Sequence, residues 1–284
     1  MMSCMKPSAP KPSLKQRCKR TALLCVGIYL LACLGCATYQ RHLIYFPPVM
    51  TTAQVDEFAK GEGLERWKDL CGKTIGWKRA SPVQPAKGQI LVTHGNAGCA
   101  FQCGHYSDAI QAVAPFDVYI LEYPGYADRP GAPSERTLYQ AADEGFQLLA
   151  TNGSVYVVGE SLGNGVAAYL AGKHPDKVAG VALLAPYNRL AAVAQAHMPI
   201  FPVRLLLVDR FPAEVYLRNY HGPVAVLVGG QDEVIPQKFG RRLYDAYSGP
   251  KRLWQFPAAD HGTVMLQPPE IWSQIVAFWR TDPR

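Results

Sequence analysis

At 284 residues, with 49% hydrophobic and 18% charged residues, the chain is long enough for one large α/β domain and too hydrophobic for a disordered protein. Its net charge is +7, but six basic residues precede residue 36, and subtracting them leaves +1 for the rest. The rest of the chain therefore lacks the electrostatic signature of a nucleic-acid-binding protein, and we predict no nucleic-acid partner.

The N-terminal segment has the arrangement of an export signal, in which basic residues precede an apolar stretch. The basic residues are Lys6, Lys11, Lys15, Arg17, Lys19 and Arg20. Residues 21–35 are uncharged and mostly apolar, a length that suits a secretory signal and is slightly short for a membrane span. The stretch ends in Leu34-Gly35-Cys36, which resembles a bacterial lipobox, so Cys36 is the candidate site of lipidation. We therefore predict a leader or anchor at residues 1–36 and a folded domain at residues 37–284.

Two alternatives stay open for this segment. Cys33 stands where a lipobox usually has leucine, and Leu31-Ala32-Cys33 is a rival cleavage site. Without cleavage, residues 21–39 form an uncharged stretch long enough for one tilted membrane helix with its basic end inside. Each route exports the folded domain and tethers it to a membrane.

The cysteines of the folded domain are Cys71, Cys99 and Cys103, an odd number without the C-x-x-C spacing of metal ligands. Cys99 and Cys103 can oxidise together in an oxidising compartment, but we predict small, ordinary thiols. No metal site and no cofactor are predicted.

Beyond residue 40, predicted strands and helices alternate along the chain. Hydrophobic runs predict strands at residues 89–93, 116–121, 154–158, 178–184, 223–228 and 252–256. Helices are predicted at residues 104–113, 135–149, 164–173, 237–247 and 270–279, the second of them capped by Ser134. This alternation predicts an α/β fold with a mostly parallel sheet covered by helices on both faces, where ligands bind at the carboxyl ends of the strands.

A long connection at residues 186–222 separates two of the predicted core strands. It contains apolar runs at residues 198–203 and 205–207. One interpretation is a short cap that provides an apolar wall for an acyl chain, and the other is a helix that packs its own apolar face on the sheet. Periodicity does not decide between them, because the runs are short.

Gly159-Glu160-Ser161-Leu162-Gly163 is a G-x-S-x-G pattern between a predicted strand and a predicted helix. In that context the serine lies in a sharp, strained turn, and the glycines allow the neighbouring chain to approach closely. The hydroxyl then stands beside the helix N-terminus, where an oxyanion is stabilised. We therefore predict Ser161 as a nucleophile; the alternative is a glycine-rich turn that contains a serine by chance.

A serine nucleophile needs a base to accept its proton and a carboxylate to orient that base. His261 is the predicted base because it lies on the loop that leaves the last predicted strand. Asp232 is the predicted acid because it lies just beyond residues 226–230, on the loop where a strand ends. The other acids near strand ends are Asp209, Glu233 and Asp260.

The oxyanion of such a reaction needs two hydrogen-bond donors. The backbone N–H of Leu162 follows from the serine turn itself. The second donor is expected on the glycine-containing loop after residues 89–93, where we choose Asn96. His94, at the start of that loop, is expected to hydrogen bond the loop and hold its shape rather than to act as a second base.

Four ordered motifs carry a resemblance to a known family. They are residues 94–98, residues 123–126 with 131–135, residues 159–163 and residues 230–236. Over about residues 40–281 the chain resembles the serine hydrolases of the α/β-hydrolase fold, most closely the membrane-tethered subgroup that includes protein depalmitoylases. The resemblance implies a Ser161–Asp232–His261 triad that acts on esters or thioesters.

The chain departs from the pattern of that family in three places. Cys99 stands where the first loop commonly continues with asparagine. Ala127 and Arg129 replace the small residues that are usual after the Gly-Tyr turn. Asp260 replaces a glycine often found before the histidine, which leaves it as a rival for the acid role.

Hydrolysis of a small-molecule or acylated substrate through an acyl-enzyme is the leading functional prediction. A serine peptidase on the same triad is the enzymatic alternative. A catalytically silent binding module is a third, because this fold supports unrelated functions.

Overall fold

The computed structural model describes residues 13–151 and 153–281, and the chain divides into two compact units, Met1–Gln40 and Arg41–Arg284. Lys6 and Lys11 of the predicted basic region lie outside the described residues. The division falls shortly after residue 36, where the leader is predicted to end.

Helix α1 (Leu14–Ile44) makes up the described part of the first unit and continues to the start of the second. Its length and apolar composition are sufficient to cross a membrane, although a signal sequence has the same properties. Cys36 lies within this helix and is half-buried. A cleaved leader and an uncleaved anchor therefore both stay predictions.

The second unit is built on an eight-stranded sheet in the order β1-β2-β4-β3-β5-β6-β7-β8. Strands β3 to β8 are parallel, whereas β2 is antiparallel to both β1 and β4. The strands are β1 (Glu65–Lys68), β2 (Thr74–Arg79), β3 (Gln89–Thr93), β4 (Asp117–Leu121), β5 (Val155–Glu160), β6 (Val178–Leu184), β7 (Val224–Gly229) and β8 (Lys251–Phe256). The predicted α/β class and mostly parallel sheet are confirmed.

Helices cover both faces of the sheet, because its central strands are apolar on both sides. In β3, Leu91 packs in one core, and its neighbours Ile90 and Val92 pack in the other. The remaining helices are α2 (Thr52–Gly61), α3 (Gly104–Gln111), α4 (Glu135–Leu149), α5 (Gly163–Lys173), α6 (Leu190–His197), α7 (Val203–Leu206), α8 (Ala213–Tyr216), α9 (Gln237–Ala246) and α10 (Pro269–Trp279). Helices α4, α5 and α9 pack on the Leu91 side, and α2, α3 and α10 pack on the opposite side.

Local sequence explains where several of these elements begin. The Ser134 hydroxyl accepts a hydrogen bond from Thr137 N at 3.1 Å, which confirms the predicted cap of α4. Strands β1 and β2 and helix α2 escape sequence prediction. β1 is a short edge strand in which only Trp67 is buried, so it lacks a hydrophobic run.

The connection between β6 and β7 folds into three short α-helices, α6 to α8, and one 3₁₀ turn, Leu217–Asn219. Its last part packs on the body, because Ala213 of α8 is fully buried in the core that contains α5. Its middle part is different, since Leu205 of α7 is 80% exposed. The packing of Ala213 agrees with the second interpretation for the last part of residues 186–222, and the cap stays a prediction for the middle part.

Candidate active site

Ser161 lies in the turn between β5 and α5 with a φ of +49°, in the left-handed region that a residue with a Cβ adopts at a cost. The turn is held by two hydrogen bonds, from Ser161 N to Leu184 O at 3.0 Å and from Asn164 Nδ2 to Ser161 O at 2.8 Å. Gly163 is required there, because a Cβ at that position would lie 2.0 Å from Thr93 O. The strand–turn–helix context predicted from the sequence is present.

His261 connects Ser161 to Asp232 by two hydrogen bonds. The distance from His261 Nε2 to Ser161 Oγ is 3.0 Å, and the distance from His261 Nδ1 to Asp232 Oδ2 is 2.8 Å. Asp232 follows β7 and His261 follows β8, so both come from the carboxyl ends of parallel strands. The structure thus brings together the three side chains selected from the sequence.

The positions of the protons in the hydrogen bonds between Asp232, His261 and Ser161 follow from which atoms can only accept. An ionised carboxylate only accepts hydrogen bonds, so His261 Nδ1 donates to Asp232, and a neutral imidazole then offers Nε2 as an acceptor to the Ser161 hydroxyl. The other oxygen of Asp232, Oδ1, accepts from Val234 N at 2.9 Å and from Ile235 N at 2.7 Å. These two N–H groups stabilise the negative charge and fix the direction of the carboxylate.

The other acids considered take part in different interactions. Asp260 is exposed, and its Oδ1 accepts from Thr263 N at 2.8 Å and from Thr263 Oγ1 at 2.7 Å. The hydrogen bond from the Thr263 side chain is the main reason that the pKa of Asp260 is lowered. Asp209 is buried and accepts from Arg41 Nε at 3.1 Å, while the side chain of Glu233 is exposed.

The two predicted oxyanion donors lie next to the serine. Leu162 directly follows Ser161. Asn96 follows Gly95, and Gly95 is close to Ser161, since a Cβ added to Gly95 would lie 3.5 Å from Ser161 Cβ. Within residues 13–151 and 153–281, neither backbone N–H donates to a protein acceptor. The Asn96 side chain is engaged elsewhere, since its Nδ2 donates to Ile44 O at 2.6 Å.

His94 is fully buried and hydrogen bonds its own loop, as predicted. Its Nδ1 lies 2.8 Å from Gly95 O, and its Nε2 lies 3.1 Å from Glu122 Oε1. Glu122 follows β4, the strand next to β3, so the contact joins the ends of neighbouring strands.

Two buried carboxylates near the site were not predicted, those of Glu122 and Glu160. Glu160 Oε1 accepts from Gly95 N at 2.9 Å, and its Oε2 accepts from Tyr106 OH at 2.7 Å. Burial raises the pKa of Tyr106, and the negative charge of Glu160 raises it further. The available sequence signal was a charged residue where an apolar run ends, since Glu160 is the last residue of β5 and Glu122 directly follows β4.

Cys99 and Cys103, which follow the loop that contains Gly95 and Asn96, are buried and form no disulfide with each other. Cys103 Sγ lies 3.9 Å from Cys99 O, and both thiols are free. Burial raises the pKa of Cys99 to about 12, so it is a poor nucleophile at neutral pH. Among the described residues, no group of His, Cys, Asp and Glu side chains is arranged to hold a metal ion.

Comparison with known proteins establishes the family. A family model described as the alpha/beta hydrolase fold matches residues 88–214. An uncharacterized protein of Mycobacterium tuberculosis is 33% identical over 270 residues, which cover 88% of this chain and 94% of that protein. The chain therefore belongs to the α/β-hydrolase fold family, and the resemblance carried by its motifs is confirmed.

More distant matches have hydrolytic activities in their names. The lysophosphatidylserine lipase of Danio rerio is 27% identical over 212 residues, which cover 66% of this chain and 54% of the lipase. An esterase of Pyrococcus furiosus superimposes with a TM-score of 0.59 at 13% identity, over 84% of this chain and 97% of the esterase. The second likeness shows the fold alone, and the fold and relatives together support a hydrolase.

Proposed function

We propose that the protein is a serine hydrolase that cleaves carboxylic esters or thioesters through an acyl-enzyme on Ser161. The observation that carries this proposal is a pair of hydrogen bonds: His261 Nδ1 donates to Asp232 Oδ2 at 2.8 Å, and His261 Nε2 accepts from the Ser161 hydroxyl at 3.0 Å. A hydroxyl, an imidazole and a carboxylate in this order form the arrangement that activates serine for acyl transfer.

The reaction begins when His261 Nε2 accepts the proton of Ser161 Oγ as the oxygen attacks the substrate carbonyl. The carbonyl oxygen becomes an oxyanion, which the N–H groups of Leu162 and Asn96 stabilise. His261 then gives the proton to the departing alcohol or thiol, and the carbon–leaving-group bond breaks. A water molecule, deprotonated by His261, attacks the acyl-enzyme and releases the acid and free Ser161.

We further propose that the protein acts on acylated amphiphiles while tethered to a membrane through its N-terminus. The apolar composition of α1 supports a tether, either as an uncleaved helix or as a leader whose removal leaves lipid on Cys36. The name of the Danio rerio relative, a lysophosphatidylserine lipase, supports an acylated substrate. The exposed Leu205 supports an apolar surface on the connection between β6 and β7.

Labelling of full-length protein in detergent with a fluorophosphonate probe tests the serine mechanism. We expect the wild type and Ser154→Ala to be labelled and Ser161→Ala to remain unlabelled. Ser154 is a suitable control because it is exposed and immediately precedes the opposite end of β5. Unlabelled wild type would instead indicate a catalytically silent binding module.

A substrate panel then defines the bond that is cleaved. It compares p-nitrophenyl esters and acyl thioesters of increasing chain length with peptide anilides. We expect hydrolysis of the esters or thioesters; faster cleavage of the anilides would make the protein a peptidase.

A further inference from the structure

The orientation of the Gly95–Asn96 peptide is set by the side chain of His94. Gly95 O lies 2.8 Å from His94 Nδ1, so the carbonyl of this peptide points to the imidazole. The C=O and N–H groups of a trans peptide point in opposite directions. The same hydrogen bond therefore directs the N–H of Asn96 away from His94, on a loop that approaches Ser161.

This orientation requires a particular arrangement of protons. A carbonyl oxygen only accepts hydrogen bonds, so His94 Nδ1 must carry a proton. His94 Nε2 faces a second acceptor, Glu122 Oε1, at 3.1 Å, so a second proton lies between these two atoms. If the imidazole and Glu122 shared only one proton between them, the ionised carboxylate would hold that proton on Nε2. Nδ1 would then be unprotonated and would face Gly95 O without a hydrogen to donate.

Glu122 is itself held rigidly. Its side chain is almost fully buried, and Oε2 accepts from Ala100 N at 3.0 Å while Oε1 also accepts from Tyr123 N at 3.2 Å. Tyr123 reaches the same loop, because its hydroxyl donates to His94 O at 2.8 Å. The carboxylate thus has a fixed position relative to both the histidine and the loop.

We infer that Glu122 is a positioning residue which, through His94, holds the Gly95–Asn96 peptide with its N–H available to the oxyanion. The inference rests on the proposed function, because it assigns a purpose to the Asn96 N–H in that reaction. Glu122→Gln disrupts the arrangement because both carboxylate oxygens accept from backbone N–H groups, one from Ala100 N and the other from Tyr123 N. In either orientation, the NH₂ group of glutamine would face one of these donors.

Kinetics on full-length protein tests this role. We expect Glu122→Gln to lower kcat about 10- to 100-fold with little change in KM, because the donor acts mainly in the transition state. The affinity for an alkyl trifluoromethyl ketone, which binds serine hydrolases as an oxyanion, should fall by a similar factor. Asp143→Asn is the matched control, because it removes the carboxylate partner of another histidine, His174, at 2.6 Å. Unchanged ketone affinity in Glu122→Gln, or an equal loss in Asp143→Asn, would overturn the inference.

A second measurement depends neither on turnover nor on whether Glu122→Gln folds. In full-length protein labelled with ¹⁵N-histidine, long-range ¹H–¹⁵N spectra should show His94 Nδ1 protonated, in Ser161→Ala as well as in the wild type. An unprotonated Nδ1 would refute the inference whatever the catalytic results are. Conversely, full activity in Ser161→Ala would refute the proposed mechanism and leave this spectrum unaffected.

Discussion

The carboxylate of Glu160 accepts a hydrogen bond from Gly95 N at 2.9 Å, which links the residue before Ser161 directly to the loop that contains Gly95 and Asn96. The two segments come from neighbouring parallel strands, β3 and β5, and their relative position is therefore fixed by a buried charge–dipole contact as well as by the sheet. Movement of one segment is expected to disturb the other.

Ser161→Ala should abolish ester turnover without loss of the fold. Removal of the nucleophile costs on the order of 10⁴-fold or more in rate, because only binding and the oxyanion donors then contribute. The measurement is kcat with the preferred ester, alongside circular dichroism and with Ser154→Ala as the control. Unchanged hydrolysis by a folded Ser161→Ala protein would reject the mechanism.

Asp232→Asn should reduce kcat far more than Glu233→Gln or Asp260→Asn. An amide at position 232 no longer favours the His261 tautomer that accepts from Ser161, and losses near 10⁴-fold follow from that defect. The two other acids lack a hydrogen bond to His261 among the described contacts. Steady-state rates of the three variants decide the assignment, and the greatest loss in Asp260→Asn would show that the acid has been misassigned.

Asp143 should contribute to stability at neutral pH and lose that contribution in acid. Burial raises the pKa of Asp143, but hydrogen bonds from Lys173 and His174 outweigh burial and hold it below its ordinary value of 3.8. A lowered carboxyl pKa stabilises the fold above the unfolded value, and the stabilisation disappears as pH falls through the folded value.

Urea unfolding at several pH values measures this effect. Asp143→Asn should be less stable than the wild type at pH 7, and the difference should shrink below about pH 4. Asp176→Asn is the control, because Asp176 is nearby and exposed. A stability difference that is independent of pH would contradict the electrostatic explanation.

Fatty-acid labelling in cells should attach lipid to the wild type and not to Cys36→Ser. The lipobox resemblance places the modified cysteine at the end of the apolar stretch, whereas Cys33 is the rival. Label lost only with Cys33→Ser would move the cleavage site. Full-length, unlabelled protein in the membrane fraction would favour an uncleaved helix.

Most of the sheet and the catalytic candidates were predictable because their signals are local. The strand before Ser161 is apolar except for its last residue, Glu160, and the strand before Asp232 is apolar throughout; Ser161 directly follows its strand, and Asp232 lies three residues after the end of its own. The two antiparallel strands at the edge were not predicted, since a half-exposed strand such as Glu65–Lys68 contains too few apolar residues.

The carboxylates of Glu122 and Glu160, which hydrogen bond His94 and Gly95, were missed for a different reason. His94 and Glu122 are 28 residues apart in the chain and meet only because β3 and β4 are neighbours in the sheet. Strand order is a property of tertiary packing, which a single sequence specifies only weakly. A charged residue at the end of an apolar strand is therefore worth examining as a candidate partner for a loop on the adjacent strand.

The positive φ of Ser161 also affects how an inactive protein is best made for trapping a bound substrate. Alanine at position 161 retains the free-energy cost of the left-handed backbone, roughly 1–2 kcal/mol, whereas glycine adopts this conformation without that cost. Glycine also increases the conformational entropy of the unfolded chain, which offsets only part of the stabilisation. Ser161→Gly should consequently melt at a higher temperature than Ser161→Ala, although both lack the hydroxyl. The left-handed turn at Ser161 thus lowers the thermal resistance of the protein, and glycine at this position would recover part of it.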